Sequence, residues 1–561
     1  MKVKSEKVKE TKKGLKIISK ILITAIFMSI VAVIINLAPN YIYDEMKDKT
    51  KLIINNNDVT SSLKFDIYID ENEVVYISTK DIANFFDEDI FYDNEYDQII
   101  TSSDTKLAVL PLNSKEIYVN SSKIKIYGQA IKKDDNFYLP FSEMGKVYNA
   151  ETKYVKESEI VTIDSLDKGQ KKANASKNIS VKYKPTIFSK TVDSVKQGES
   201  FVLIETKDNG WSKIRTSNGI IGYTKDVTNI YTVREEMKEE KQINGKVSIV
   251  WDYYSEYVSA PDRTGSTING VNVVSPSMAV LKKLGQGELE TNINSEGKAY
   301  IQWAHNNGYK VWPMISNNSM KETTSEILND YKLREKLINN LVNLVLENNF
   351  DGINIDFENI YKDDNDMFTR FIVELAPRLK EYGKVLSVDV TAPDGSDDWS
   401  LCFNRNKIGK IADYIVFMAY DQNGATSPEE GTTAGANWVE ANIKKFLGQE
   451  EVEADKIILG MPFYTRLWKE ANGKITSTVV SMKSIDSVIP SGVSKIWDED
   501  LKQYYVEYEE NGTTYKMWLE EEKSIQAKFA LMKQYNLAGA AYWAKDREKS
   551  NIWDIIAEEI K

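Results

Sequence analysis

The stretch Phe350-Asp351-Gly352-Ile353-Asn354-Ile355-Asp356-Phe357-Glu358 places the tightest limit on how this chain can fold. Its length, its β-branched and aromatic residues and the turn-forming Asn348-Asn349 before it predict a buried β-strand. Side chains on a strand alternate between two faces. Ile353, Ile355 and Phe357 share one face; Gly352, Asn354, Asp356 and Glu358 share the other. A buried polar group without a partner costs roughly 2–7 kcal/mol, so an ordinary core strand does not line up an amide and two carboxylates. The apolar face is expected to pack on helices. The polar face is expected to open onto a reaction site, with Glu358 nearest the carboxyl end of the strand.

From Lys246 onward, strand-like and helix-like segments alternate, the pattern of a βα-repeated fold. Strands are expected near 247–251, 270–278, 310–316, 350–358, 385–390, 414–421, 457–464 and 537–543. Eight is the number that a closed parallel barrel needs. The chain has one cysteine, Cys402, and one histidine, His305. An intrachain disulfide is therefore impossible, and a zinc site of the usual Cys/His type cannot be assembled. His305 reads as a structural residue at a helix end, and Cys402 as a buried apolar side chain. Carboxylates and tyrosines are left to carry the chemistry, with no cofactor or metal, and this suits hydrolysis of a glycosidic bond. A net charge of -12 argues against nucleic acid as a partner.

The residues now resemble a known family. Asp351-Gly352-Ile353-Asn354-Ile355-Asp356-Phe357-Glu358 resembles the D-G-x-D-x-D-x-E signature of glycoside hydrolase family 18, with Asn354 in the third acidic position. Met418-Ala419-Tyr420-Asp421 is similar to the family's M-x-Y-D, Gly460-Met461-Pro462-Phe463-Tyr464 to its G-x-P-x-Y, and Gly539 with Trp543 to its strand-eight Gly-x-x-x-Trp. The usual Ser-x-Gly-Gly after strand three is Ser316-Asn317-Asn318-Ser319 here, so that loop is expected to differ in shape. The resemblance implies a (β/α)₈ TIM barrel over 244–561, with a small α+β insertion at 470–520 between strands seven and eight. Within that insertion, Asn511-Gly512 predicts a hairpin turn.

The resemblance also implies roles. Glu358 is expected to be the general acid. Asp356 orients the substrate's acetamido group, whose own oxygen attacks, and Tyr420 bonds that oxygen. Trp543 forms an apolar floor, and Asp421, Tyr464, Asp389 and Asn354 are further sugar-contact candidates. Asn354 cannot relay a proton, so an altered pH profile is expected. The branch most resembled acts on spore-cortex and wall peptidoglycan, which implies a β-N-acetylglucosaminidase cleaving β-1,4 bonds after N-acetylglucosamine. A chitin or chitooligosaccharide hydrolase, or a non-catalytic wall-sugar-binding protein on the same barrel, are the alternatives.

The amino-terminal half reads as a chain of smaller parts. Residues 1–20 carry eight lysines and two glutamates, and residues 21–38 follow without a charge. That length is enough for a membrane anchor, with lysines favouring a cytoplasmic start and an external catalytic region; a cleaved signal peptide leading to secretion is the alternative. Residues 46–165 resemble the amino-terminal domain of copper amine oxidases, used as an α+β stalk; lacking His and Cys, the region implies no copper. Residues 166–177 read as a linker. Residues 178–235 resemble a bacterial SH3-like β-barrel through Gly210-Trp211 and Gly222-Tyr223, a module that often binds cell-wall peptide. The expected partners are peptidoglycan or a related N-acetylglucosamine polymer, and the membrane.

Overall fold

A computed structural model describes residues 16, 18–32, 50–237, 241–254 and 258–561 of the chain. The described residues fall into two compact units, one of residues up to 237 apart from 104–107, the other of residues 104–107 and those from 241 onward.

The expected membrane anchor over 21–38 is not supported. Residues 18–32 are helical, a run of about 22 Å at the rise of an α-helix, against a hydrocarbon core of roughly 30 Å. Among the described residues no helix is long and apolar enough to cross a membrane. The single-pass placement inferred from that anchor falls with it. Residues 33–38 of the proposed span lie outside the described residues.

In the amino-terminal unit, residues 51–165 build two four-stranded sheets and one of five strands around a core that includes Leu52, Ile77, Ile82, Leu139, Phe141 and Ile163. The helix Thr79–Phe85 starts at Ser78, whose hydroxyl accepts from Asp81 N at 3.1 Å, an N-cap that satisfies one otherwise free amide. Residues 170–234 form a seven-stranded antiparallel sheet. The linker expected at 166–177 is therefore corrected: Gln170–Ala175 is a strand paired on both sides, with Phe201 opposite Ala173 and Val227 opposite Ala175. Ala173 and Ala175 alternate inward and are fully covered. Their small side chains leave no hydrophobic signal in a run otherwise made of Lys, Gln and Asn.

The carboxyl-terminal unit is a closed barrel of eight parallel strands. These are β1 (Val247–Asp252), β2 (Val273–Pro276), β3 (Lys310–Val311 continued as Met314–Ser316), β4 (Gly352–Asp356), β5 (Val385–Val390), β6 (Tyr414–Met418), β7 (Ile457–Pro462) and β8 (Gly539–Trp543). Strand β8 pairs in parallel with both β7 and β1 and so closes the ring. Between β2 and β3 the ladder is made in two steps, first Val273 against Lys310, then Ala279 against Ile315.

The two faces of β4 separate as alternation requires. Ile353, Ile355 and Phe357 lie in the outer core with the helix Asn365–Lys380, where Phe357 stacks on Phe371 at 5.7 Å. The opposite face turns into the barrel, whose lower half is filled by Val247, Ile249, Trp312, Met314, Tyr414 and Val416. Gly352 has a steric reason: a Cβ there would stand 2.5 Å from Val385 O and 3.0 Å from the Trp312 ring. Asp351 lies below the strand. It accepts from Val311 N, Lys310 Nζ and His305 Nε2, each at 3.0 Å, and so ties β3 and the end of the helix Ser295–Asn306 to β4. The single histidine is thus a structural partner at a helix end.

The insertion begins earlier than its expected start at 470. Directly after β7 the chain turns into Tyr464–Ala471, the second strand of a five-stranded antiparallel sheet that also holds Lys474–Ser481, Thr513–Leu519, Gln503–Glu510 and Ile496–Asp498. Asn511 and Gly512 both take positive φ, 53° and 72°, and join two of these strands. Tyr464 therefore opens the insertion sheet instead of ending β7.

Candidate active site

The polar face of β4 is wired into its neighbours by Asn354. Its amide donates to Asp389 Oδ1 at 2.7 Å and to Ser387 Oγ at 3.0 Å, both on β5. Its carbonyl oxygen accepts from Trp251 Nε1 on β1 at 2.8 Å. All four residues are buried. A neutral amide can both donate and accept, so Asn354 bridges an indole and a carboxyl with its hydrogen bonds used on both sides. Neither Trp251 nor Ser387 stands out in the sequence, because a strand-end tryptophan and a strand serine read as ordinary core.

Above Asn354 sit Asp356 and Glu358. Asp356 is 9% exposed, and its Oδ1 is buried with no hydrogen-bond partner. Burial, then the neighbouring Glu358 and Asp389, hold its carboxyl well above the usual carboxylate range. Burial, and then the charge of Asp421, push the Glu358 carboxyl up to about 7. Asp389 is also raised, by burial first and by Glu358, against the lowering effect of its bonds from Asn354 and Trp251. Three carboxyls in one buried hollow cannot all ionise at neutral pH, and they titrate together.

The backbone of Glu358 is held by a residue that sequence reasoning missed. Asn317, fully buried in the loop after β3, accepts from Glu358 N at 3.0 Å and donates to Glu358 O at 2.9 Å. Its side chain imitates a neighbouring strand just where β4 ends. A loop asparagine has no periodicity to betray it; only the departure of Ser316-Asn317-Asn318-Ser319 from its expected pattern marked the place. Asn318 and Ser319 both take positive φ, 51° and 52°, the conformation that glycine adopts without strain. Asn317→Ala is expected to lower kcat by roughly tenfold to a hundredfold, because small misplacements of a reacting group cost that much. Steady-state kinetics would show it as a kcat effect larger than the KM effect.

The tyrosines enter from β6 and the insertion. Tyr420 follows β6, and its ring packs over Gly460, where a Cβ would come within 3.3 Å of it. Its phenol is raised well above the ordinary tyrosine range by burial, then by Tyr464, Asp389, Asp356 and Glu358. It therefore lies within electrostatic reach of all three carboxyls. Tyr464 donates to Asp421 Oδ1 at 2.7 Å, and the two tyrosine rings meet edge-on at 6.2 Å. Asp421 takes a left-handed φ of 57°. Trp543 ends β8 with its ring 5.7 Å from Trp251 and 5.5 Å from Tyr253, half-buried at the rim. The barrel mouth thus gathers Asn354, Asp356, Glu358, Asp389 and Tyr420 into one cluster, flanked by the Asp421–Tyr464 pair and, through Trp251, by Trp543. An acid near 7 beside a second raised carboxyl is a pairing suited to acid–base work at neutral pH.

Known proteins fall along the same lines. Residues 53–163 match the copper amine oxidase N-terminal domain. The uncharacterized glycosylase YvbX of Bacillus subtilis is 28% identical over 272 residues, covering 46% of this chain and 78% of that protein. The putative sporulation-specific glycosylase YdhD of the same organism is 25% identical, covering 50% and 69%. A cortical fragment-lytic enzyme of Bacillus anthracis is 24% identical, covering 43% and 57%. Residues 249–548 match the glycosyl hydrolases family 18, a span that takes in every residue of the mouth described above, and the chain is a glycosidase belonging to that family.

Proposed function

We propose that this enzyme cleaves the β-1,4 bond after N-acetylglucosamine in peptidoglycan, with retention, using the substrate's own acetamido group as the nucleophile. The observation that carries the reading is Asp356 Oδ1, buried and without a partner between Glu358 and Asp389. A buried acceptor is costly to leave empty, and an acetamido N–H is a donor of the right kind to fill it. Glu358 protonates the departing glycosidic oxygen while the acetamido oxygen closes on the anomeric carbon, the substrate-assisted exception among glycosidases. Tyr420 donates to that oxygen and steadies it. Asp356 keeps the nitrogen turned toward itself and offsets the positive charge that develops on the ring. Water then opens the cyclic intermediate, giving its proton to Glu358. Trp543 supplies a flat apolar surface beneath the sugar, while Asp421 and Tyr464 stand ready for its hydroxyls.

The wall polymer is supported by the relatives named for cortical fragments and sporulation. It is also supported by the amino-terminal unit, where the sheet of residues 170–234 with buried Trp211 suits an SH3-like wall-binding module over 178–235. Parallel digestion of purified peptidoglycan and of chitin, with the new reducing ends identified by mass spectrometry, tests the reading. Release of muropeptides ending in N-acetylglucosamine is expected. Fragments from chitin alone would replace it with the chitin reading, and fragments ending in muramic acid would contradict the bond assigned.

A further inference from the structure

The amino-terminal unit holds a cleft that bond cleavage leaves unused. Strands Ala150–Val155 and Ile160–Ser165 turn Tyr154, Val161 and Ile163 into the core of their own sheet. Alternation then sends Glu151, Lys153, Thr162 and Asp164 out on the other face. The seven-stranded sheet of residues 170–234 does the same. Ala173, Phe201 and Ile214 point inward, so Lys172, Val202 and Arg215, side by side in register, point outward. The two outward faces meet and enclose a cavity of about 250 Å³.

Its walls are fixed to each other. Arg215 is 5% exposed and Asp164 9%. The guanidinium donates from Nη1 and Nη2 to the two carboxylate oxygens, the first at 2.9 Å, and such a paired bond sets orientation as well as distance. At the rim Lys153 Nζ donates to Ser217 O at 3.3 Å, and Ser158 Oγ to Asn218 O at 2.6 Å. The sheets are thus attached around a space that stays open, and ligand pockets occur preferentially at such boundaries.

The charges left over define what fits. Asp164, Arg215 and Lys153 are committed to partners across the cleft. Glu151 stands on one wall and Lys172 on the other; both line the cavity, and among the described residues neither side chain makes a hydrogen bond or ion pair. Opposite charges on facing walls that do not meet leave room for a molecule carrying both, an ammonium toward Glu151 and a carboxylate toward Lys172. Gln170, Ser200 and Ser217 also line the space and can bond main-chain amides between those ends. Buried Val155 and Val202 give it an apolar floor for small side chains. The volume lies below the roughly 300–1,000 Å³ of drug-sized ligand pockets, so it admits a short peptide segment. A neutral N-acetylglucosamine polymer offers neither charge.

We propose that this cleft is a peptide-binding site, which holds a stem peptide of the wall through its ammonium and carboxylate groups and so retains the enzyme on its polymer. This rests on the peptidoglycan reading above and deepens it: the sheet that carries Glu151 and Asp164 supplies half of the site, and the seven-stranded sheet alone does not complete it. The cleft takes no part in bond cleavage.

The test uses the full-length protein and a soluble peptide, N-acetyl-L-alanyl-γ-D-glutamyl-L-lysyl-D-alanine. Two relatives accompany it, one acetylated at the lysine ε-amine and one amidated at both carboxylates. Titration calorimetry is expected to show the parent peptide bound about fivefold or more tightly than either relative, the size of one partly exposed charge contact. Glu151→Gln should remove the preference for the free amine and keep that for the free carboxylates; Lys172→Gln should do the reverse. Glu151 is exposed and Lys172 half-buried, so both substitutions leave the fold intact, and equal unfolding temperatures check this. Cleavage of glycan strands stripped of peptide should be the same in all three proteins. No binding of the parent peptide, equal affinity for the three peptides, or preferences unmoved in both variants overturns the proposal, while the peptidoglycan reading stands if the wild type cleaves that polymer. A wild type that cleaves chitin and not peptidoglycan overturns that reading itself.

Discussion

Glu358→Gln is expected to lower turnover by roughly 10²–10⁴-fold, the usual worth of a positioned general acid, while substrate binding survives. Glutamine keeps the shape and the backbone clamp from Asn317 but cannot give up a proton. The same carboxyl sets the alkaline limb of the wild-type profile. With Glu358 at about 7, the protonated fraction, and with it kcat/KM, falls about tenfold per pH unit above that point. The linkage to stability has a definite sign. The folded-state value is raised above the ordinary 4.5, so the contribution of Glu358 is fully present below that value and is lost as pH rises to about 7. The glutamine variant cannot ionise and escapes that loss. It should therefore unfold at a higher temperature than the wild type at pH 8, with the difference vanishing near pH 4. Inactivity joined to greater stability at alkaline pH is a combination that mere disruption of the barrel does not produce.

Asp356→Asn is expected to lower kcat by roughly 10²–10³-fold, as removal of a transition-state stabiliser does, with a smaller change in KM. Asparagine fits the space, yet it offers no negative charge to the ring or to the acetamido nitrogen. The variant also removes a neighbour from the cluster. Glu358 raises the pKa of both Asp356 and Asp389, and Asp389 that of Asp356, so the group titrates together and the alkaline limb should move as well as the height of the profile. Rate-pH profiles of wild type and variant, measured on one soluble substrate, would show both changes. An Asp356→Asn enzyme with the wild-type kcat would contradict the role given to this side chain.

Much of this was readable before the structure, for physical reasons that differ from residue to residue. The β4 alternation of Ile353, Ile355 and Phe357 against Asn354, Asp356 and Glu358 is a period-two pattern with chemistry on one face, and it shows the barrel interior directly. The eight strands were visible because each is a short apolar run broken by a turn or a helix. Asn317 was not visible, since its work is to bond a backbone across a loop, and no spacing encodes that. Trp251 and Ser387 were hidden for a related reason: each contributes one hydrogen bond to Asn354 while otherwise packing as core. Tyr464 was assigned to β7 because its apolar neighbours run on without a break, whereas the chain turns at Phe463. The strand at Gln170–Ala175 passed for a linker because alanines bury little area. The uncharged run at 21–38 suggested a bilayer span by composition alone, and among the described residues no helix is long and apolar enough to cross a membrane.

The claim on which the account turns is that the sugar attacks itself. Two matched substrates test it most directly, differing only in whether the N-acetylglucosamine at the cleaved bond bears an acetamido or a trifluoroacetamido group. The carbonyl oxygen of the trifluoroacetamide, drained by its three fluorines, is a much poorer nucleophile, and a fall in kcat of about tenfold or more is expected, on the order of 1.4 kcal/mol or greater in the barrier, with the product still released in the β-configuration. Equal turnover of the two substrates, or an α-configured product, would contradict it.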